Sequence, residues 1–173
     1  MKRHPALQDY SRDHHFLLLQ TREIRWFFDE SRHAAQLEQL SAGFLSAWRR
    51  DIGPHLQEEE AVLLPFYAQH DAADEAYLQR VYSEHAWLRE NVLAFQERLE
   101  QDEDFLELLG QIGHRLHDHV RFEERVLFQH MQSLLSDAEL ADLDARSRAY
   151  RERHRPEAIG PRDEWCDLGD DVL

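Results

Sequence analysis

Apolar residues recur at intervals of three and four along most of the chain, and this pattern divides it into four long segments. They span about residues 7–32, 36–69, 75–100 and 105–135. Such spacing predicts amphipathic helices, and the alternation typical of a strand is absent from the sequence. Four long helices joined by short connections predict an all-α fold, an antiparallel up-down-up-down four-helix bundle.

The inward faces of these predicted helices follow from their apolar stripes. The stripe of the first segment consists of Leu17, Leu18, Ile24, Phe27 and Phe28. The stripe of the third consists of Leu78, Val81, Tyr82, His85, Leu88, Val92, Phe95 and Leu99. In the second segment the stripe continues past Gly53-Pro54, so we expect a kink there and favour it over a break into two helices.

Capping signals mark two helix starts. Asp74 is a suitable N-cap for the third segment. Ser136 and Glu139 have the spacing of a capping box and predict a shorter fifth helix over about 137–153. Leu140 and Leu143 on one face of that helix can pack either on the bundle or on another subunit. Residues 154–173 contain prolines, glycines and acids and are interpreted as an irregular tail, although Trp165 leaves docking open.

Size and charge limit the function. The 173 residues suit one domain (about 1–153) plus the tail, and the net charge of −15 argues against nucleic acid and anionic membranes as partners. The single cysteine, Cys166, excludes an intrachain disulfide and fits a reducing compartment. We therefore expect a soluble, cytoplasmic protein, with its oligomeric state left open.

Histidine is unusually frequent, with 12 residues, and two stretches carrying it resemble each other. His55-Leu-Gln-Glu-Glu59 and His119-Val-Arg-Phe-Glu123 share the spacing HxxxE, which places an imidazole and a carboxylate on one helix face. This spacing alone is weak evidence, because a chain so rich in histidine and glutamate produces it by chance.

The register of the helices is the stronger argument. With turns near residues 34, 72 and 102, His14, His55, Glu59, His85 and His119 lie at matching distances from the turns that join their helices. At 1.5 Å per residue, they fall within about one helical turn in height. Buried glutamate and histidine in one layer need a common partner, and a pair of metal ions supplies it.

Two neighbouring histidines compete for the position on the first helix. His14 shares a face with Leu17, Thr21, Ile24 and Phe28, whereas His15 shares one with arginines and an aspartate. We therefore choose His14 and expect His15 on the surface or behind the ligands. The remaining histidines are expected not to bind metal; these are His4, His33, His70, His114, His117, His130 and His154.

The ordered motifs Asp13-His14, His55-xxx-Glu59, Glu84-His85 and His119-xxx-Glu123 resemble the bacterial hemerythrin-like (HHE cation-binding) domains over about residues 7–135. The resemblance implies two iron ions with a bridging oxo or hydroxo species; manganese or zinc is compatible with the same ligand types. It also implies bridging carboxylates at Glu59 and Glu123. The terminal ligands it implies are His14, His55, His85 and His119.

Two positions qualify this resemblance. Oxygen-carrying hemerythrins have a further histidine one turn after the third-helix histidine, and this chain has Arg89 there. Simple reversible oxygen carriage is therefore in doubt. Glu58 matches Phe122 in the internal repeat, a position expected to face inward. We favour a partly exposed carboxylate there, with an extra ligand as the alternative.

The motifs lead to three hypotheses. The first is a di-iron protein that binds oxygen, nitric oxide or iron for sensing, storage or delivery. The second is a di-iron enzyme acting on peroxide, oxygen or nitric oxide, or repairing damaged iron centres, with Tyr82 as a redox or proton partner. The third is a helical bundle with no physiological metal. We prefer the first hypothesis over the second, and the matched register of the helices argues against the third.

Overall fold

The computed structural model describes residues 3–29 and 34–154, which form five helices and contain no strand. The predicted all-α bundle is confirmed. Helix α1 spans Pro5–Asp29, α2 spans 34–68, α3 spans Glu75–Glu100, α4 spans 106–134 and α5 spans Asp137–His154. None of the helices in the described part of the chain is both long and apolar enough to cross a bilayer.

Helices α2 and α4 continue through π-helical turns, in which the backbone hydrogen bond skips one extra residue. In α2, π turns at Trp48–Ile52 and Glu59–Leu63 separate the α-helical stretches Ala34–Ala47, Gly53–Glu58 and Leu64–Ala68. In α4, a π turn at Glu123–Leu127 separates Leu106–Phe122 from Phe128–Leu134. Each of the three turns changes the direction in which the following side chains point, and neither helix ends there.

The expected kink at Gly53-Pro54 takes the form of the first π turn. Proline has no N–H, and its ring crowds the carbonyl four residues earlier, so the preceding turn widens. The Gly53 N–H instead donates to the Trp48 carbonyl, five residues back. Pro65 follows the second π turn in the same way. The π turn of α4 has no proline near it, so proline is not its cause.

Both predicted helix starts are confirmed. The Asp74 side chain accepts hydrogen bonds from the backbone N–H groups of Ala76 and Tyr77. Ser136 and Glu139 form the reciprocal capping box: the Glu139 N–H donates to the Ser136 hydroxyl, and the Ser136 N–H donates to the Glu139 carboxylate. Each cap satisfies orphan N–H groups at the first turn of its helix.

The apolar core consists of two clusters. One is centred on α1, α2, α3 and α4 residues such as Ile24, Phe44, Phe95 and Leu116. The other lies at the opposite end of the bundle and includes Leu64, Phe128 and Met131. Leu140 and Leu143 of α5 belong to this second cluster, so α5 packs on its own bundle. A layer of buried polar side chains falls between the two clusters along the helices.

The predicted inward position is wrong for two residues of the apolar stripes, Phe28 and Tyr82. Phe28 is 42% exposed because it lies near the end of α1 opposite Gly110, which has no side chain to enclose its ring. Tyr82 is 41% exposed because it follows Val81 by one residue, and a rotation of about 100° per residue turns it away from the core. His33 and residues 155–173, including Trp165, lie outside the described residues.

Candidate metal centre

The structure brings all six residues expected at the metal site into one layer of the core. They form two groups whose donor atoms lie within 4.8 Å of one another. One group contains His14, His55, Glu59 and Glu123. The other contains Glu59, His85, His119 and Glu123. Each group thus has two imidazoles of its own and shares the same two carboxylates.

Glu59 spans the two groups through its two oxygens. Its Oε1 lies 3.2 Å from His55 Nε2, and its Oε2 lies 3.3 Å from His85 Nε2. The i,i+4 spacing on α2 sets the first contact, and the packing of α3 sets the second. Glu59 thus faces one imidazole of each group with a different oxygen.

Glu123 completes the layer from the opposite side. Its Oε2 lies 3.0 Å from His14 Nε2 and 3.3 Å from His119 Nε2. The Nε2 atoms of His85 and His119 lie 3.2 Å apart. All four imidazoles therefore present Nε2 to a common interior point.

Several of the inward atoms are buried and make no well-oriented hydrogen bond, although imidazole and carboxylate face each other at 3.0–3.3 Å. They are His14 Nε2, His55 Nε2 and both carboxylate oxygens of Glu59 and of Glu123. Leaving such atoms unpaired in a water-excluded core costs about 1–3 kcal/mol each. A cation bound between them removes that cost, and imidazole with carboxylate suits iron, manganese or zinc. The residues present therefore fit a bound metal cation.

The outward nitrogen of each histidine is held by a carboxylate from a neighbouring helix. We call these four carboxylates the carboxylate ring. They are Asp13 at 3.3 Å from His55 Nδ1, Glu60 at 2.9 Å from His85 Nδ1, Glu84 at 2.9 Å from His119 Nδ1 and Glu124 at 2.7 Å from His14 Nδ1. The ring runs from α1 to α2, α2 to α3, α3 to α4 and α4 back to α1. Such a partner fixes the tautomer that leaves Nε2 available to a metal.

Sequence reasoning missed the carboxylate ring, although a signal for it was present. Each member is adjacent in sequence to an expected ligand on its own helix: Asp13 to His14, Glu60 to Glu59, Glu84 to His85 and Glu124 to Glu123. Adjacent residues on a helix differ by about 100° in direction. The ring carboxylate therefore points past its own ligand toward the next helix.

A guanidinium group backs every carboxylate of the ring. The pairs are Arg151 with Asp13, Arg89 with Glu60, Arg80 with Glu84 and Arg3 with Glu124. Arg80 and Arg89 lie on α3 within the bundle, whereas Arg3 precedes α1 and Arg151 lies on α5. Each guanidinium lowers the cost of burying its carboxylate.

The charges of the layer shift several pKa values. Burial alone lowers the pKa of His85, but the carboxylates of Glu59 and Glu60 outweigh it and raise that pKa to about 9. Burial likewise opposes the charge of Glu124, yet its contact with His14 and Arg3 lowers its pKa to about 2. The pKa of His14 is also raised well above its usual value, because three carboxylates outweigh its burial. Without metal, the neighbouring carboxylates thus favour the protonated forms of His14 and His85.

Glu58 differs from the preferred expectation of a partly exposed carboxylate. It is fully buried, and its Oε1 accepts hydrogen bonds from the Ser147 hydroxyl at 2.9 Å and from Arg151 Nε at 2.8 Å. Helix α5 covers this face of α2, which no local pattern shows. The carboxylate belongs to neither group of donor atoms.

Arg89 does not take the place of a fifth histidine ligand. Its Nη1 donates to Glu60 at 2.8 Å, and it belongs to neither group of donor atoms. His15 is half-buried and also lies outside both groups. Within the part of the chain that the structure describes, the other histidines predicted not to bind metal likewise lie outside them.

The second π turn of α2 and the π turn of α4 begin at the shared carboxylates, at Glu59 and at Glu123. Both therefore occur at the same position of the internal repeat. Only the turn of α2 is followed by a proline, and the feature that both turns share is a carboxylate of the two donor groups at their first position. The stretch from histidine to glutamate is α-helical in both helices, since the Glu59 N–H donates to the His55 carbonyl and the Glu123 N–H donates to the His119 carbonyl.

One family model matches the chain: the hemerythrin HHE cation-binding domain, over residues 12–131. The matched stretch contains both groups of donor atoms and the whole carboxylate ring, and it ends before α5. No curated protein matches the chain, and no solved structure does. The chain belongs to the hemerythrin HHE cation-binding family.

Proposed function

We propose that the chain is a non-haem di-iron protein that binds a diatomic ligand, oxygen or nitric oxide, or handles iron itself, for sensing, storage or delivery. The observation that supports this proposal is the pair of donor groups sharing Glu59 and Glu123. Two imidazoles in each group and two carboxylates common to both would hold two iron ions. Bound iron supplies the redox chemistry and the Lewis acidity of the site.

The protein's own contribution is to hold the donors rigid and dry. His14, His55, His85 and His119 are fully buried, and apolar clusters lie on both sides of the layer. The carboxylate ring fixes each imidazole with Nε2 inward. This arrangement supports binding of a small uncharged ligand, because a diatomic molecule crosses a packed core more readily than a charged or bulky one.

Metal analysis after anaerobic iron(II) loading tests the proposal. We expect two irons per chain in the wild type and a marked loss in His55→Ala and His119→Ala. His114→Ala is the matched control, because its side chain is 78% exposed and faces away from the site. Unchanged iron content in the two core variants would refute the metal centre.

Visible spectra of the loaded protein then test the ligand. A band that appears with oxygen or nitric oxide and disappears when the gas is removed supports binding. Irreversible bleaching without such a band contradicts it.

A di-iron enzyme acting on peroxide, oxygen or nitric oxide, or repairing damaged iron centres, is the second candidate. The observation that favours it is Arg89, which pairs with Glu60 where a further histidine would otherwise lie. Each group then offers four residues, fewer than the six ligands iron commonly takes, so positions stay open for substrate. Turnover of peroxide or nitric oxide above that of free iron would favour the enzyme; turnover equal to free iron would exclude it.

A further inference from the structure

The two donor groups differ in how their histidines are supported. His85 and His119 are backed through Glu60 and Glu84 by Arg89 and Arg80, both on α3. His14 and His55 are backed through Glu124 and Asp13 by arginines from the two ends of the described chain. These are Arg3 and Arg151, and both lie outside the stretch that matches the family model.

Arg151 reaches the layer from the last turn of α5. Its Nη2 donates to Asp13 Oδ2 at 3.1 Å, and the same oxygen faces His55 Nδ1 at 3.3 Å. Its side chain is 13% exposed, whereas that of Arg148 on the same helix is 68% exposed. The buried arginine therefore contacts the oxygen that orients His55.

Further contacts hold this guanidinium in place. Arg151 Nε donates to Glu58 at 2.8 Å, and the guanidinium carbon lies 5.3 Å from the centre of the Tyr10 ring. The Ser147 hydroxyl, one turn earlier, contacts both Glu58 and the Tyr10 hydroxyl. A guanidinium fixed on two carboxylates and one aromatic face has little freedom, so it restricts Asp13 in turn.

From these contacts we propose that Arg151 is a positioning residue for the ion held by His14 and His55, acting through Asp13, so that α5 forms part of this half of the metal centre. The inference rests on the proposed metal site. Outer partners of metal-binding histidines typically affect affinity by about 10–100-fold. Removing Arg151 is expected to weaken the His14–His55 position by that factor and to leave His85 and His119 nearly unaffected.

The test uses the full chain with zinc(II) as a diamagnetic probe. Long-range proton–nitrogen NMR of histidines labelled with ¹⁵N follows the coordination of each imidazole separately as zinc is added. In Arg151→Ala, His55 is expected to coordinate only at about 10–100-fold higher free zinc than in the wild type, with His85 and His119 unchanged. Equal midpoints for His55 in the two proteins would overturn the inference.

Three further variants separate positioning from docking of α5. Arg148→Ala is the matched control and should leave every midpoint unchanged. Ser147→Ala removes contacts of α5 with Glu58 and Tyr10 but spares Asp13, so His55 should coordinate nearly as in the wild type. Arg151→Lys keeps the charge and should recover part of the lost affinity. A Ser147→Ala midpoint as high as that of Arg151→Ala would show that α5 acts only by packing and would overturn the positioning role.

The wild-type arm distinguishes the inference from the proposed function. Suppose that all four histidines coordinate zinc but the iron-loaded protein does not respond to oxygen or nitric oxide. Diatomic binding is then contradicted, and the role of Arg151 is still decided by comparing Arg151→Ala with the wild type. Wild-type histidines that coordinate no zinc would overturn both.

Discussion

Glu84 Oε2 lies 2.9 Å from His119 Nδ1, so the residue that precedes one expected ligand on α3 orients another on α4. Asp13 has the same relation to His55 across α1 and α2. Glu60 and Glu124, which follow the shared carboxylates, serve His85 and His14. The helix pair α1–α2 thus supplies the carboxylates that contact one of its own histidines and one histidine of the pair α3–α4. The pair α3–α4 does the same in return. The four carboxylates therefore link all four helices around the candidate metal site.

This relation predicts that Glu84→Gln lowers metal affinity about 10–100-fold, although Glu84 is not itself an expected ligand. Glutamine keeps the shape but loses the charge that fixes His119 with its Nδ1–H directed outward. Competition with a chelator measures the affinity. The matched control is Glu90→Gln, an exposed residue on the same helix. Equal losses in both variants would point to a general charge effect and contradict the orienting role.

The shared carboxylates predict a second contrast. Glu59 faces His55 with one oxygen and His85 with the other, whereas His119 belongs to one group. Glu59→Gln should therefore weaken both ion positions, because a neutral amide offers a single oxygen and no charge to share. His119→Gln should weaken mainly the position it shares with His85. Metal content measured over a series of free metal concentrations separates the two patterns, and identical patterns would argue against a bridging role.

The sequence predicted the helices and the six core residues because both depend on regular spacing. The observed helix bounds differ from the predicted ones by a few residues. The matching register across the turns predicted that the histidines and glutamates lie at one height. The features that the sequence did not predict depend on contacts between distant segments. Glu58 is buried by Ser147 and Arg151, which lie 89 and 93 residues further along the chain.

Some predictions from local sequence patterns were also wrong. The apolar stripes included Phe28 and Tyr82, since hydrophobicity was taken as a sign of burial. Phe28 lies where the bundle ends, and Tyr82 lies at the edge of its stripe. The π turn at Glu123–Leu127 has no sequence marker such as proline.

The pKa of His85 predicts how the metal-free protein responds to alkaline pH. Its folded-state pKa is about 9, against about 6.5 for an unperturbed histidine, so its protonated form stabilises the fold. That contribution is complete below about pH 6.5 and is lost as pH rises through about 9. It corresponds to about 3 kcal/mol. Urea unfolding of the metal-free protein should therefore give a lower free energy of unfolding at pH 9.5 than at pH 6.5.

Bound metal should reverse this dependence. A metal ion needs neutral imidazole, so loading displaces the protons from the layer, and higher pH favours it. Stabilisation by added zinc should accordingly increase between pH 6.5 and pH 9.5 while the metal-free protein weakens. A metal-free protein whose stability stays constant over this range would contradict the pairing of protonated His85 with Glu59 and Glu60.

The close packing of α1 against α4 provides a prediction independent of metal. A Cβ at Gly113 would lie 2.9 Å from Ile24 Cγ2 and 3.2 Å from Ile24 Cβ, and Ile24 is 1% exposed. Overpacking of this kind costs about 1–3 kcal/mol, and the gain in helix propensity from alanine recovers about 1 kcal/mol at most. Gly113→Ala should therefore lower the free energy of unfolding by roughly 1 kcal/mol, or be neutral at the smallest cost.

Gly43, an exposed helical glycine of α2 with nothing within 4 Å of its added Cβ, is the control. Gly43→Ala should raise the free energy of unfolding by about 0.5–1 kcal/mol, because alanine loses less backbone entropy in a helix. Equal stabilisation of both variants in urea unfolding would mean that α1 and α4 pack less closely at Ile24 than described.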